Sequence, residues 1–258
     1  MTAAARAWAL VVFFVLAATG RASACDVLYV VGNATLTTAD EAVYDLLVGM
    51  GVTVTLVSGA TSASSNATGK DLVIISASVA SADVNTKFKT VTVPVLNYEP
   101  SIMDDMAMTG LTNGTDYGSV GSMTQIVIQN SAHQMAAGLS GTVTVFNSPQ
   151  GGVWGVPSAN AEAVASMVSE TTKKTIFGYP SGVAMVNYTS PARHVGMFTE
   201  QSGPAFFTSE GQSIFKAAAN WAMTATTPVI TVQPTNKTVL SGATATFTVT
   251  ATGKFLTY

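Results

Sequence analysis

Asp26–Gly59 carries the pattern that decides the fold, and it reads DVLYVVGNATLTTADEAVYDLLVGMGVTVTLVSG. Val27–Val31 is a continuous apolar run that ends at a Gly-Asn pair, and Val52–Val57 is a second such run. Between them, Thr38 is a potential N-cap, followed by two acidic residues and an apolar stripe at helical spacing that stops at Gly-Met-Gly. Continuous apolar runs joined by a helix are typical of parallel strands covered on both faces. This stretch therefore predicts a strand–helix–strand unit.

The same alternation continues along the chain. Leu72–Ile75 and Val93–Leu96 are predicted strands, with a weaker helix candidate at Val79–Phe88 between them. The βαβαβ order predicts an α/β fold, a doubly wound and mainly parallel sheet with helices on both faces. A clear amphipathic helix at Ser209–Met223 would close the domain. The less regular second half holds six further strand candidates: Gln125–Ile128, Thr142–Phe146, Ala163–Val168, Thr175–Phe177, Val183–Val186 and His194–Phe198.

The two ends of the chain differ from this domain, which spans 25–223. Residues 1–24 combine a basic residue, a short apolar run and an Ala-Ser-Ala exit, which together predict a secretory signal peptide. Cleavage there would make Cys25 the first mature residue, so attachment of a lipid at Cys25 stays open. Residues 224–228 read as a linker, and 229–258 carry short alternating strands. We expect a secreted or cell-surface protein.

The composition argues against several classes of protein. The chain has 258 residues, of which 48% are hydrophobic and only 10% are charged, against about 25% in ordinary soluble domains. A membrane-spanning helix needs roughly 20 apolar residues, and only the N-terminal segment comes close, so no membrane span is expected after its removal. The body is acidic and has no basic run, which argues against nucleic acid as a partner. No phosphate-binding or dinucleotide motif is present, and the two histidines have no zinc-site spacing. We therefore expect no cofactor and no metal site.

Several motifs together resemble the class I glutamine amidotransferase-like superfamily, which has a flavodoxin-like fold. They are the opening strand–Gly-Asn–helix unit, the strand Asp71–Ser76, the strand Val93–Leu96 that leads to Glu99-Pro100, and His-x-x-Ala-x-Gly-Leu at His133–Leu139. The resemblance covers nearly all of 26–223. It is strongest to the trehalose-utilisation-type branch, which occurs in secreted bacterial multidomain proteins, often beside immunoglobulin-like repeats.

The tail 229–258 resembles the start of a bacterial immunoglobulin-like domain. Its strands alternate apolar and polar residues around a Ser-Gly turn, and Val249 stands where many such domains place the first sandwich cysteine. A complete domain of this kind needs about 100 residues. We therefore expect this all-β segment to be incomplete and to lack the disulfide.

The resemblance implies amidotransferase chemistry only if the nucleophile is present. Working members use a cysteine on a tight strand-to-helix turn, activated by a histidine and an acid, and 26–258 contains no cysteine. A serine replacement would require the pattern Gly-x-Ser-x-Gly, which is absent. Ser76 lacks flanking glycines, and Ser181 fits an ordinary turn. The sequence therefore predicts that the nucleophilic step has been lost.

Candidate site residues follow from the rule that open α/β sheets bind ligands beyond the carboxyl ends of their strands. Asn33, Ser76, Tyr98 and Glu99 occupy such positions. Glu99 directly follows an apolar strand, so partial burial could raise its pKa and suit it to acid/base work. The alternative for Glu99 is a carboxylate that caps the turn near Ser101.

Three more residues have two interpretations each. Asp104, next to Asp105, could hold a cation or lie on a solvated turn. His133 could face a ligand or stabilise its own loop. Trp154 lies in a glycine-rich loop and could stack on a sugar or fill the core.

Three functional hypotheses remain open. The leading one is a domain that binds a carbohydrate or cell-surface ligand, through Asn33, Ser76, Tyr98, Asp104 and Trp154. It predicts a concave site with Tyr98 or Trp154 exposed. The alternative is a hydrolase-type enzyme with Glu99 and His133 as catalytic residues, which predicts the two side chains in one pocket. The third is a structural display module with no site.

Overall fold

The structure is a computed structural model that describes residues 15–16, 25–223, 229–235, 238, 244, 246–248 and 250–252. The chain divides into two compact units. The larger unit is Ala24–Ala225, and the smaller one combines Met1–Ser23 with Thr226–Tyr258. Within the described residues, no helix combines the length and the apolar character that crossing a bilayer requires.

The larger unit is built on one mixed sheet. Its eleven described strands are β1 (Asp26–Val31), β2 (Thr53–Ser58), β3 (Leu72–Ile75), β4 (Val95–Asn97), β5 (Tyr117–Met123), β6 (Gln125–Ile128), β7 (Gly141–Thr144), β8 (Gln150–Gly155), β9 (Glu162–Met167), β10 (Lys174–Tyr179) and β11 (His194–Gly196). Its helices are α1 (Thr38–Gly49), α2 (Ser81–Val84) and α3 (Ser209–Met223). Short 3-10 turns lie at Ser64–Ala67, Pro100–Ile102, Gln134–Ala136 and Gly203–Phe206.

The sheet has a parallel half and an antiparallel half. Its strand order is β2-β1-β3-β4-β11-β10-β9-β6-β7, and the first five strands in this order are parallel to one another. From β11 onward every pairing is antiparallel, and β5 and β8 form an antiparallel ribbon that joins the sheet at β10. The α/β class is confirmed, but the expectation of a mainly parallel sheet holds only for the first half. Short connections contribute to the change, because parallel neighbours need a crossover of about a dozen residues or more, whereas only six residues separate β9 from its antiparallel neighbour β10.

The two faces of the sheet are covered differently. Helices α1 and α3 pack on one face, where Leu47 and Phe215 share an apolar cluster with Tyr29 of β1. The other face is covered by α2 and irregular segments, including Phe88. The predicted helix Val79–Phe88 shrinks to the four residues of α2, because the chain reverses direction at Asn85, which has a φ of 45°. The long helices therefore lie on one face, not on both as predicted.

Helix α1 shows how local sequence sets the element. Its N-cap is Thr37, one residue before the predicted Thr38, and the Thr37 hydroxyl accepts the Asp40 N–H at 3.1 Å. The helix ends at Met50, after which Gly51 adopts a φ of 78°.

In the second half, one predicted strand does not form and two strands form that were not predicted. The segment 183–186 forms no strand, only an isolated bridge between Ala184 and Thr189. The glycine-rich strands β5 and β8, by contrast, were not predicted. They pair with each other, with Gly118 opposite Trp154.

The smaller unit is described only in part. Val15–Leu16 pairs in parallel with Thr246–Phe247, and Val229–Val232 pairs in antiparallel with Thr250–Thr252. Most of the predicted signal peptide, the linker 224–228 and much of the predicted immunoglobulin-like segment lie outside the described residues.

Candidate functional site

A polar cavity of about 270 Å³ lies beyond the carboxyl ends of the central parallel strands. Ala77 follows β3, Glu99 follows β4 and Glu200 follows β11, so three neighbouring strand ends contribute to its wall. The start of β5 closes one side with Tyr117 and Gly118. Among the described residues, no lysine, arginine or histidine lines the cavity. The topology therefore assembles an acidic, polar recess at the edge where open α/β sheets bind ligands.

Glu99 is the most deeply placed carboxyl group of this cavity. It is 9% exposed, and its Oε1 accepts the Ser101 N–H at 3.0 Å, which caps the turn Pro100–Ile102. The Asn97 side chain fixes the Glu99 backbone by donating to its carbonyl at 2.9 Å and accepting its N–H at 3.1 Å. Burial raises the pKa of Glu99 to about 7, with a smaller contribution from the nearby Glu200, while the bond from Ser101 opposes the rise. Glu99 therefore caps a turn and faces the cavity at once.

Glu200 is the functional candidate that sequence reasoning missed. Its backbone N–H donates to the Gly151 carbonyl at 3.2 Å. A Cβ atom at position 151 would lie 2.0 Å from Glu200 Oε2, so the glycine makes room for this carboxylate. The signal was available, because Glu200 follows the last predicted strand just as Glu99 follows an earlier one.

Asp104 supports the wall of the cavity without lining it. Its Oδ2 accepts the Tyr117 hydroxyl at 3.2 Å, and its Oδ1 is buried without a hydrogen-bond partner among the described residues. Burial, and next the charge of Asp104, raise the pKa of both Tyr117 and Asp105. Asp104 therefore lies outside the lining of the cavity and contacts it through the hydroxyl of Tyr117.

Ser76 and Tyr98 belong to a buried network instead of a binding surface. Ser76 Oγ donates to Asp40 Oδ1 at 2.6 Å, and the Tyr29 hydroxyl donates to the same oxygen at 3.0 Å. The Tyr98 hydroxyl lies 2.6 Å from that of Tyr29. All four residues are buried, and burial raises the pKa of both tyrosines. The structure thus places both side chains in the core, outside the lining of the Glu99 cavity.

Asn33 and Trp154 also lie outside the lining of the Glu99 cavity. Asn33 is exposed in a turn, where its Oδ1 accepts the Thr35 N–H at 3.3 Å. Trp154 is only 3% exposed, and Lys173 Nζ lies 4.2 Å from the centre of its ring. An exposed sugar-stacking surface is therefore not available at Trp154. Its indole Nε1 is buried, and no hydrogen-bond partner for it is found in the described part of the chain.

The structure does not bring Glu99 and His133 together. His133 accepts the Met135 N–H at Nδ1, lies 2.7 Å from Glu162 Oε2 at Nε2, and packs against Trp221. Trp221 lies near the end of α3, whereas Phe215, earlier in that helix, packs against Tyr98 beside Glu99. His133 is not among the residues that line the Glu99 cavity. The predicted catalytic pair is therefore not formed.

Among the residues that the structure describes, no group of three His, Cys, Asp or Glu side chains is placed to hold a metal ion.

The fold, unlike the site, has counterparts among known proteins. No protein-family model matches this chain, and a comparison with curated proteins also finds no match. Among solved structures, it is similar to a protein from Thermoplasma acidophilum that is described as a GMP synthase subunit. The identity is 17% and the TM-score 0.51, over 76% of this chain and 96% of that one. A glutamine amidotransferase from Thermotoga maritima is also similar, with 9% identity and a TM-score of 0.49, over 78% of this chain and 99% of that one. At such identities the likeness concerns architecture alone, and it gives the larger unit the fold of the class I glutamine amidotransferase-like proteins.

Proposed function

We propose that the larger unit binds a small hydroxyl-rich ligand, a single carbohydrate unit, in the cavity of Glu99 and Glu200. The cavity itself is the observation that supports this proposal. It combines carboxylates with the amides of Asn113 and Gln201 and the hydroxyl of Ser119. Amides and hydroxyls can each donate and accept, as the hydroxyls of a sugar require of their partners.

The size of the cavity limits the ligand. Drug-sized ligands occupy about 300–1,000 Å³, and the present volume of about 270 Å³ lies just below that range. One sugar ring therefore fits better than an oligosaccharide. Glutamine hydrolysis by the cysteine route has no support, because the only cysteine, Cys25, precedes β1.

A second candidate function is hydrolysis of a glycosidic bond by the two carboxyl groups. The observation that favours it is the pKa of Glu99, which at about 7 leaves a proton available near neutral pH. In this candidate Glu99 donates that proton to the leaving oxygen and Glu200 activates the attacking water. Glu200 takes the place that sequence reasoning gave to His133.

Binding and hydrolysis can be tested with the same variants. We expect monosaccharides to perturb the amide NMR signals of Ser101 and Ser119 in the full chain, and Glu99→Gln to weaken this binding at least tenfold. The matched control is Glu41→Gln, which makes the same change on the exposed side of α1. Turnover of aryl glycosides that disappears in both Glu99→Gln and Glu200→Gln would favour the enzyme. A panel of sugars that leaves every signal unmoved would rule out both and leave the display module.

We also propose that the protein is exported. The proposal rests on the predicted signal peptide, so mass spectrometry of the mature protein should find a chain that begins at Cys25. Cys25 is 4% exposed and packs in the core. A lipid on its sulfur would have to displace that packing, so we expect the mature mass without a lipid. A mass that includes residues 1–24 would contradict export by this route.

A further inference from the structure

We propose that the hairpin of residues 182–190 is a flap that opens when the side chain of His194 takes up a proton. The flap folds back on itself through the isolated bridge between Ala184 and Thr189, and Asn187 at its tip has a φ of 57°. The described lining of the Glu99 cavity includes neither the flap nor His194. An acid-released flap is therefore independent of the function proposed above.

His194 lies beneath this flap, on the face of the sheet opposite to α1 and α3. It pairs with Val95 of β4 and with Tyr179 of β10, and both belong to the apolar cluster of that face. Cross-strand partners point to the same side of a sheet, so the imidazole lies on that side as well. Met185 of the flap is buried in the same cluster, and Ser190 of the flap contacts the ring. The flap is therefore part of the cover over His194.

The contacts of the imidazole determine which nitrogen carries the hydrogen. Nδ1 lies 3.0 Å from the Ala192 carbonyl oxygen and 3.0 Å from Ser190 Oγ. A carbonyl oxygen can only accept, so Nδ1 is the donor and Nε2 is left as an acceptor. His194 is fully buried, and its Nε2 has no hydrogen-bond partner among the described residues. A proton on Nε2 would therefore create a buried, charged donor without an acceptor, which is costly.

The groups packed around the imidazole supply no negative charge. On β10 the Tyr179 hydroxyl already donates to the Met108 carbonyl at 2.9 Å, and the partner on β4 is a valine. In the flap, Tyr188 has the positive Nζ of Lys89 at 5.1 Å from its ring centre. Arg193, the preceding residue, stacks on an indole at the end of α3. Burial lowers the pKa of the imidazole to about 4, and no charged group of the described chain contributes to this shift.

Few polar contacts join the flap to distant segments among the described residues. They are the Val186 N–H to the Ala107 carbonyl at 3.0 Å, the side chains of Ser158 and Asn160 to the Ala184 carbonyl at 3.3 and 3.1 Å, and the contact between Ser190 and His194. A segment held by so few contacts opens at a lower free energy than the whole domain. Opening of the flap is therefore the least costly way to bring water to Nε2.

The direction of the pH dependence follows from this geometry. In the open form water can solvate the imidazole, so its pKa returns to the ordinary 6.5, against about 4 in the closed form. The closed form is fully favoured above pH 6.5 and loses up to about 300-fold in its equilibrium with the open form as the pH falls to 4. Acid thus opens the flap.

Hydrogen exchange of the full chain at pH 7 and pH 4.5, followed by NMR and corrected for intrinsic rates, tests this proposal. The N–H groups of Met185, Val186 and Ser190 are hydrogen-bonded, and a released hairpin is not stable by itself. We expect their protection to fall at least about tenfold at pH 4.5. Urea below the unfolding transition should not accelerate this exchange, because a local opening exposes little surface.

Two matched variants assign the effect to one imidazole. The acid-dependent loss of protection should disappear in His194→Asn and persist in His133→Asn, the same change at the other histidine of the chain. If the flap keeps its protection at pH 4.5, if the loss survives in His194→Asn, or if the flap exchanges only together with α3 and faster in urea, the proposal is wrong.

A further variant decides the question if thermal melting shows that His194→Asn does not fold. Ser190→Ala removes the hydroxyl that contacts the ring, so the flap amides should lose at least about threefold in protection at pH 7 while those of α3 stay unchanged. The control is Ser213→Ala on α3, whose hydroxyl donates to the Ser209 carbonyl. Flap protection that is the same in Ser190→Ala as in Ser213→Ala would overturn the proposal.

Discussion

Glu99 and His194 are both buried titratable residues, and burial moves their pKa values in opposite directions. The pKa of Glu99 rises to about 7, while burial lowers that of His194 to about 4 against a bond to the Ala192 carbonyl. The His194 side chain is fully buried, and its Nε2 has no partner among the described residues that could stabilise an added proton. Each residue therefore makes the free energy of unfolding depend on pH.

Glu99→Gln isolates the contribution of Glu99. In the native state its pKa is about 7 instead of 4.5, so the wild-type carboxyl group contributes stability that is fully present below pH 4.5 and lost as the pH rises through 7. The shift corresponds to about 3 kcal/mol. In urea denaturation, the free energy of unfolding of the variant relative to that of the wild type should therefore rise by about 3 kcal/mol between pH 4.5 and 8. A difference between variant and wild type that stays constant with pH would contradict the burial of the Glu99 carboxyl group.

His194→Asn should show the reverse dependence. A native pKa of about 4 against 6.5 means that the neutral imidazole contributes stability above pH 6.5 that is lost as the pH falls through 4. We expect the wild type to lose about 3 kcal/mol relative to the variant between pH 7 and 3.5, measured by the same denaturation. Between pH 4.5 and 6.5 the two effects oppose each other, so the wild type should depend on pH less than either variant. If the stability of His194→Asn depended on pH as little as that of the wild type between pH 4.5 and 6.5, the burial of His194 would be contradicted.

The sequence was sufficient to predict which edge of the sheet carries the cavity, but not which way the individual side chains point. Glu99 is predicted as a cavity residue from its place after an apolar strand, and the same rule would have identified Glu200. Tyr98 does not, because side chains alternate along a strand and Tyr98 shares its side with the core residue Leu96. The position of the Ser76 side chain depends on its bond to Asp40, and that of Trp154 on its contact with Gly118. Both partners lie far along the chain, so residue spacing does not predict these contacts.

At the level of secondary structure, the buried hydrogen-bond network of Tyr29, Asp40, Ser76 and Tyr98 connects the start of α1 to parallel strands of the sheet. Asp40 in the first turn of α1 accepts from Tyr29 of β1 and from Ser76 after β3, and Tyr98 after β4 joins through Tyr29. Asp40 Oδ2 also accepts the Thr37 hydroxyl at 2.9 Å. The network thus fixes the relative positions of one helix and three strands directly beside the cavity.

Removing hydroxyl groups from this network should be costly and non-additive. We expect Tyr29→Phe to destabilise the protein by about 1–3 kcal/mol, because it leaves Tyr98 and Asp40 with unmet buried polar groups. In the Tyr29→Phe, Tyr98→Phe double variant the total should fall short of the sum of the single changes by at least about 0.5 kcal/mol. Tyr44→Phe on α1 is the control, since its hydroxyl has no hydrogen bond among the described residues. Additive losses in chemical denaturation would show that the two hydroxyls are not coupled.

Helices and strands could be predicted from sequence only where the pattern that specifies them lies within their own residues. Helices α1 and α3 have apolar stripes within their own sequence, and both form as predicted or within a residue. The ribbon of β5 and β8 has little apolar pattern, because its glycines make room for residues of the partner strand. A Cβ at Gly152, for example, would lie 2.5 Å from Cε of Met123. Such a strand is specified by its partner instead of by its own periodicity.

At the scale of the whole molecule, the core identifies the part of the chain that should fold by itself. All the described core residues lie between Cys25 and Met223, in apolar clusters on the two faces of the sheet. The last turn of α3 belongs to that core, since Trp221 and Met223 are buried there. The C-terminal boundary of the folding unit therefore lies just after Met223.

Two truncated chains test this boundary as a matched pair. Residues 25–225 should retain the melting temperature of the α/β unit within about 2 °C and bind sugars as the full chain does, because no described core residue is removed. Residues 25–220 lose Trp221 and Met223 together, and burial of one large side chain is worth about 3–5 kcal/mol. Against a total stability of about 5–15 kcal/mol, we expect this shorter chain to melt at least 10 °C lower or to be unfolded. Equal melting of the two chains would place the boundary before Trp221, and a strongly destabilised 25–225 would show that the remainder of the chain contributes to the core.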